Sequence, residues 1–186
     1  VEHGQRVILK ALSRSPLVVQ EILNIGDQLK KKQIPIRDVV NFNEDEITDE
    51  RLEEKAEAVL DVIESIRKHE RSAHRMRLKL RRCRKGSRLY KKHLSMLARY
   101  RIPIAWKVRA LEMNDLQHER LIGVIKETVD KVVALEREIH KLNRSLETPR
   151  RLDDAKGIKK RVRLLQAELA EIEDNAFAPA PEIKRT

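Results

Sequence analysis

The arginines and lysines in one part of this sequence are the residues whose type and spacing indicate a function most clearly. Seventeen Lys or Arg residues and one acid, Glu70, lie between Arg67 and Arg109, a stretch that we call the basic block. Its net charge is therefore +16, whereas the whole chain, with 41 basic and 30 acidic residues, carries +11. The remaining 24 basic and 29 acidic residues sum to −5. All of the positive excess thus lies in the basic block.

The basic block is suited to contact a polyanion or an acidic protein face. Phosphate contacts from Lys and Arg give affinity without sequence information, and that affinity falls steeply with salt. A solvated helix face is the alternative, but a block of one sign repels itself and solvated faces usually carry both signs. A membrane-surface helix fits less well, because Leu78 and Leu80 alone make a thin apolar face. The predicted contact residues are Arg75, Arg77, Lys79, Arg81, Arg82, Arg84, Lys85, Arg88, Lys91 and Lys92.

Three aromatic residues, Tyr90, Tyr100 and Trp106, lie within the basic block. Such rings can stack on unpaired bases. In a chain with only 3% aromatic residues, however, these large apolar side chains are needed in the core. We therefore expect the three rings to be buried around a turn at Pro103, with base stacking as the alternative.

The sequence contains no pattern typical of a catalytic or metal centre. His118-Glu119 lacks the second histidine that a helical zinc site has four residues after the first, and no Gly-rich phosphate loop is present. Cys83 is the single cysteine, so it cannot form an internal disulfide or a cysteine-based metal site, and no histidine lies beside it. The carboxylates lie in mixed-charge patterns typical of solvated helix faces. We predict a protein that is not an enzyme, with no cofactor, metal ion or small-molecule substrate.

The elements that must position the basic block are predicted to be helices. Scarce aromatic residues and only five Gly residues disfavour strands and tight turns. Apolar residues make up 40% of the chain and recur at spacings of three and four, as on amphipathic helices. The predicted fold is all-α, a multi-helix bundle with long helices and a C-terminal helical hairpin. No apolar run could span a bilayer and no secretory signal precedes the first predicted helix, so we expect a cytoplasmic protein without membrane contact.

Local signals predict where the first helices begin and end. Ser15-Pro16 is typical of a helix start, and a short piece is expected over Ile36–Phe42 before an acidic loop. Thr48 is the predicted N-cap of a long helix. That helix is expected to end near Gly86, because glycine is the favoured C-terminal stop.

The second half of the chain is predicted to contain one more short helix and a helical hairpin. The short helix covers about residues 88–100, and Pro103 is expected to break the chain and start the next helix. The inward-facing residues of the helix over residues 88–100 are predicted to be Leu89, Leu94 and Leu97. Apolar seams over Ile122–Leu146 and Ile158–Ile172, with a turn at Thr148-Pro149, predict the hairpin.

Several short phrases occur in an order that resembles one protein family. Val1–Gln5, followed by a short helix and Ser15-Pro16, resembles the end of region 1.2 of bacterial primary sigma factors of the sigma-70 family. Asp38–Phe42 with the acidic linker after it is similar to that family's layout. His93–Pro103 resembles the phrase L-x-x-x-F-K-x-F-R-L-x-P of the family's non-conserved insert, and Glu119–Ile122 resembles its later phrase E-R-L-I.

The resemblance covers roughly Val1 to Ala176 and implies an accessory helical domain of a primary sigma factor. Such a domain supports RNA polymerase holoenzyme assembly and promoter-dependent initiation. It contacts core RNA polymerase, chiefly the clamp of the largest catalytic subunit, and lies near promoter DNA in the full factor. The implied layout is the end of region 1.2 (1–42), an acidic linker (43–48), the helical non-conserved region (49–175) and a linker tail (176–186).

The family's promoter-melting and promoter-reading regions match no part of this chain, so no site residue of the family is carried over. Because Val1 falls inside a predicted helix, we expect the chain to belong to a longer protein. Two other functions stay open. One is a helical protein that binds nucleic acid independently of sequence, and the other is a coiled-coil structural adaptor built on the predicted hairpin.

Overall fold

The computed structural model describes residues 2–42, 48–147, 152–176 and 179–184. Within these ranges the chain is predominantly helical, which confirms the all-α prediction. The elements are α1 (Glu2–Leu12), α2 (Pro16–Lys30), a 3-10 turn (Ile36–Asp38), α3 (Asp49–Arg81), α4 (Arg88–Ala110), α5 (Asp115–Glu147), α6 (Leu152–Ala176) and the one-turn α7 (Ala180–Ile183). The same ranges contain no β-strand, and an isolated antiparallel bridge joins Val40 to Met113.

The chain forms two compact units, residues 1–122 and 123–186, and their boundary lies inside α5. The predicted division after residue 42 follows the family layout and stays a prediction. In the described part of the chain, no helix combines the length and the apolar character that crossing a membrane requires. The predicted acidic linker lies outside the described residues except for Thr48, the N-cap residue of α3.

The first unit is built on α3, against which α2 and α4 pack. Its buried apolar side chains include Val18, Ile22, Ile25 and Leu29 of α2, Val59, Ile63, Ile66, Ala73 and Met76 of α3, and Leu97, Ile104 and Val108 of α4. Helices α2 and α3 approach closely at Gly26, where an added Cβ would lie 2.5 Å from Cγ2 of Ile63. Arg67 of α3 strengthens this contact, since its guanidinium pairs with Asp27 of α2.

Helix α4 differs most from the sequence-based prediction, because it continues through Pro103 to Ala110. Proline inside a helix removes one backbone N–H donor and crowds the preceding turn. Burial of Ile104 and Val108 beyond it compensates for this cost, since each is at most 3% exposed. The chain instead turns after Leu111, where Glu112 takes a φ of +46°. Local proline chemistry is thus overridden by packing against α3.

The continuation of α4 also changes which of its residues face the core. Leu97 is buried as predicted, but Leu89 is 61% exposed and Leu94 is 48% exposed, so the prediction is wrong for these two. Leu97, Ile104 and Val108 follow one another at spacings of seven and four, which places them on one helix face. A helix predicted to end at residue 100 lacks Ile104 and Val108, whose burial decides which face of α4 turns to the core.

Asn114 marks the true start of α5. Its Oδ1 accepts a hydrogen bond from the backbone N–H of Gln117 at 2.9 Å, the geometry of an N-cap. Its side-chain amide also donates to the carbonyl of Arg37 at 3.4 Å, and Gln117 donates to the carbonyl of Asp38 at 2.8 Å. These bonds tie the start of α5 to the 3-10 turn within the first unit.

The second unit contains the predicted helical hairpin. Val132 and Leu135 of α5 and Val162 and Leu165 of α6 are its buried seam residues. An ion pair joins Glu138 to Arg161 at 3.0 Å, and both residues lie about equally far along the chain from residues 148–151, which indicates antiparallel helices. The predicted turn at Thr148-Pro149 lies outside the described residues.

Part of the predicted linker tail, residues 180–183, forms the short helix α7. Ala180 and Ile183 of α7 are each 3% exposed, so this turn packs against its own unit. Glu173 accepts a hydrogen bond from the backbone N–H of Ala180 at 2.6 Å, and Lys184 pairs with Glu136 at 2.7 Å. Pro181 lies in the first turn of α7, where proline is tolerated.

Candidate functional site

The candidate cations gather at the turn of an antiparallel hairpin formed by α3 and α4. Because the two helices pack along each other and are joined by residues 82–87, the end of α3 and the start of α4 lie side by side. Nine of the ten predicted residues are exposed there, and we call these nine the basic tip. They are Arg75, Lys79, Arg81, Arg82, Arg84, Lys85, Arg88, Lys91 and Lys92.

A tight backbone turn holds the basic tip in place. Helix α3 ends at Arg81, five residues before the predicted stop at Gly86, and the backbone N–H of Cys83 donates to the carbonyl of Leu80 at 3.1 Å. Gly86 adopts a φ of +83°, a conformation that costs little only for glycine. Ser87 then caps α4, since its Oγ accepts a hydrogen bond from the backbone N–H of Tyr90 at 3.1 Å.

Arg77 is the one candidate that the structure places away from the surface. It is 7% exposed, and its two terminal nitrogens lie 2.6 and 3.2 Å from the two carboxylate oxygens of Glu70. A bidentate pair of this kind is strong and geometrically specific. The position of Arg77 along α3 explains its burial. It lies four residues after the buried Ala73 and therefore on the same helix face. We therefore assign Arg77 a structural position.

The one acid of the basic block is used inside the fold. Glu70 is the single acid between residues 67 and 109, and its carboxylate faces Arg77. Arg67, the first cation of the block, is likewise turned to Asp27 and supports the fold. The charged side chains that the basic block exposes at the hairpin turn are therefore all positive.

The first turn of α4 carries a positive charge, which the dipole of this helix disfavours. Cations near the C-terminal end of α3, such as Lys79 and Arg81, match the negative end of its helix dipole. The first turn of α4 contains Arg88 and no acid, although the positive end of a helix dipole favours acids. Such a placement costs a few tenths of a kcal/mol, roughly 0.3–1 at an exposed site.

The aromatic residues of the block do not all enter the core. Tyr90 and Tyr100 are half-buried, but Trp106 is 69% exposed, so the prediction that it fills the core is wrong. Its ring lies under the guanidinium of Arg109, which is 5.8 Å from the ring centroid. The cause is again the continuous helix α4, since Trp106 shares a face with Ile102 instead of with Ile104 and Val108.

The side chains of the hairpin turn are chiefly cations, with Cys83 among them. Among the residues that the structure describes, no group of three or more His, Cys, Asp or Glu side chains could hold a metal ion. Cys83 is half-buried within the turn of the hairpin. What the site offers is a cluster of exposed cations on a turn whose backbone is held by the packing of α3 and α4. In comparisons with known proteins, no family model matches this chain, and no solved structure matches it either.

Proposed function

We propose that this chain is an accessory helical domain of a primary sigma factor of the sigma-70 family. In this proposal it acts in the cytoplasm, has no enzymatic activity, and supports RNA polymerase holoenzyme assembly and promoter-dependent initiation. The structural observation that carries the proposal is the basic tip, nine exposed cations whose block has its one acid paired internally. The ordered phrases that resemble the family supply the identity of the partner.

A rigid hairpin is well suited to deliver these cations to an acidic protein surface. The backbone of the tip is fixed by the packing of α3 and α4, so fewer backbone torsions must be ordered on binding. Electrostatic complementarity accelerates association and fixes the orientation of the partners. By the resemblance, the acidic surface belongs to core RNA polymerase, at the clamp of the largest catalytic subunit, with promoter DNA nearby in the full factor.

Neutralising part of the basic tip tests this proposal without disturbing the fold. Deleting the basic block would remove buried core residues such as Ala73 and Val108, so substitutions are preferable. The test variant combines Arg82→Gln, Arg84→Gln, Lys85→Gln and Arg88→Gln, all at exposed positions. The matched control removes the same charge from exposed sites of α5, through Lys126→Gln, Lys131→Gln, Arg137→Gln and Lys141→Gln.

Affinity of both variants for core RNA polymerase is the measurement. Exposed ion pairs contribute about 0.2–1 kcal/mol each, so removing four, about 0.8–4 kcal/mol together, should weaken binding by about fourfold or more. The control variant should bind like the original chain. Equal affinity of the test variant and the original chain would contradict a role of the basic tip in polymerase binding.

Sequence-independent binding of nucleic acid is the second candidate, and the exposure of Trp106 near several cations favours it. It requires that the chain bind duplex or single-stranded DNA at low salt. The slope of log affinity against log salt should then become shallower by about 0.9 for each duplex phosphate that the tip variant no longer neutralises. DNA binding with this slope, together with no affinity for core polymerase, would favour this candidate over the first.

The coiled-coil adaptor gains no comparable support. An adaptor needs an apolar seam that is open to a second chain. Val132 of α5 is fully buried and Leu165 of α6 is 2% exposed within one copy of the chain. The seam is therefore used to close the hairpin of the second unit.

A further inference from the structure

A second surface of the first unit, separate from the basic tip, combines an apolar stripe with a basic rim. Helix α4 presents Leu94, Ala98, Ile102 and Trp106 at steps of four residues, so they lie in a row on one helix face. Leu94, Ile102 and Trp106 are 48%, 58% and 69% exposed. Single exposed apolar side chains are ordinary, but a contiguous row of them marks an interaction surface.

This stripe forms one wall of an open groove. The groove has a volume of about 440 Å³ and runs between α4 and the turn that joins α1 to α2. Its lining also includes the apolar side chains of Val19, Leu97 and Ile104. Aliphatic side chains continuous with the core thus line the groove beside the paired Glu70 and Arg77, while the wall formed by α4 remains open to a partner.

Cations surround the groove. Lys10, Arg14, Arg101 and Arg109 all line it, and the one acid in the lining, Glu70, is paired with Arg77. The guanidinium of Arg101 donates a hydrogen bond to the carbonyl of Arg14 at 3.0 Å and so fixes α4 to the α1–α2 turn. The rim is therefore positive and the spacing of its walls is set by the fold.

We infer that this groove is a docking site for an amphipathic helix of a partner protein, with apolar residues on one face and acidic residues beside them. The stripe from Leu94 to Trp106 is about 18 Å long, the length of three to four helical turns. Apolar anchors on such a helix would meet the stripe, and its acids would meet the rim. This inference goes beyond the proposed function and does not depend on it.

The groove is less suited to unpaired bases. Stacking requires aromatic platforms, and Trp106 is the one aromatic side chain that lines the groove. Its neighbours Leu94 and Ile102 are aliphatic and offer no hydrogen bonds to base edges. An aliphatic stripe flanked by separated cations is the pattern expected for an acidic, amphipathic helix.

Trp106 is the only tryptophan of the chain and reports directly on this groove. The intact chain is titrated with a synthetic helical peptide of about 15 residues, three to four turns, with Leu on one face and Glu beside it. Binding should shift the emission of Trp106 to shorter wavelength in a saturable way. A peptide in which Gln replaces every Glu should bind about tenfold more weakly at low salt, because it loses the attraction to the rim.

Two matched substitutions locate the binding site. Ile102→Asp places a charge in the stripe and should weaken binding of the labelled Glu peptide, measured by anisotropy, by at least about tenfold. Leu116→Asp makes the same change at a residue that is 64% exposed on α5 and outside the groove, and should leave binding unchanged.

Three results would overturn the inference. The first is no saturable change of Trp106 emission with the Glu peptide, or equal binding by the Gln peptide. The second is a shift produced by oligothymidine but not by the peptide, which would make the groove a nucleic-acid site. The third is a shift that depends only on the concentration of the chain, which would show that a second copy fills the groove.

Discussion

Replacing Gly26 by alanine is expected to destabilise the first unit, although alanine is the better helix former. In an open helix position, alanine in place of glycine stabilises by about 1 kcal/mol. At residue 26 the new Cβ would lie 2.5 Å from Cγ2 and 3.4 Å from Cβ of Ile63, which is 3% exposed on α3. A β-branched side chain in a helix has essentially one rotamer, so Ile63 cannot turn aside. Helices α2 and α3 must therefore separate.

The magnitude follows from two opposing effects. Overpacking of a close-packed core costs about 1–3 kcal/mol, and the severe overlap at Gly26 argues for the upper part of that range. After subtracting the gain in helix propensity, we expect a net loss of about 2 kcal/mol for Gly26→Ala. Gly123→Ala and Gly157→Ala, where no atom lies within 4 Å of the added Cβ, should instead stabilise by about 0.5–1 kcal/mol.

Urea unfolding followed by far-ultraviolet circular dichroism measures these changes, with separate transitions allowed for the two units. The combination Gly26→Ala with Ile63→Leu is the sharper test, because leucine removes the branching methyl group and keeps the volume. Ile63→Leu alone should cost less than about 1.5 kcal/mol, and the double variant should be more stable than Gly26→Ala. A stabilising Gly26→Ala, or no rescue by Ile63→Leu, would refute the close approach of α2 and α3.

Three further predictions concern single interactions. Glu70→Gln should lower the free energy of unfolding by about 2 kcal/mol, because the buried guanidinium of Arg77 loses its carboxylate. Adding Arg77→Met should restore part of this loss in urea titrations. No restoration would contradict the pairing. Pro103→Ala should raise the free energy of unfolding by about 1–3 kcal/mol, because α4 regains a backbone N–H. An unchanged thermal midpoint would instead indicate that the helix is broken at residue 103. Asn114→Ala should cost about 1 kcal/mol by removing the cap on the N–H of Gln117, whereas Asn114→Ser should cost less; equal losses would contradict capping.

Helix starts that depend on local chemistry were predictable from the sequence. Ser15-Pro16 and Thr48 precede helices in the structure as predicted, although neither hydroxyl makes a capping hydrogen bond. The local signals that act are Pro16 in the first turn of α2 and the acids Asp49 and Glu50 in the first turn of α3. The hairpin of the second unit was predictable for a related reason, since a long seam with spacings of three and four fixes one helix face. Val132 and Leu165 are buried as that seam requires.

The features that depend on packing between distant segments could not be read locally. Pro103 lies inside α4 because burial of Ile104 against the rest of the first unit outweighs the proline penalty. The same continuity exposes Trp106 and creates the groove, which no motif signalled. At the candidate site, nine of the ten cations that charge density singled out are exposed, and Arg77 differs because its position on the buried face of α3 matters more than its charge. Their contact with a partner stays a prediction.

Photocrosslinking from Cys83 tests most directly whether the basic tip contacts core RNA polymerase. Cys83 is the single cysteine of the chain and lies in the turn between α3 and α4, so a benzophenone attached there reports on the tip alone. Mixing the labelled chain with core polymerase and promoter DNA should give a crosslink to the largest catalytic subunit. The variant with Arg82, Arg84, Lys85 and Arg88 replaced by Gln should give much less of it. A crosslink to DNA alone, or none to any polymerase subunit, would contradict the account.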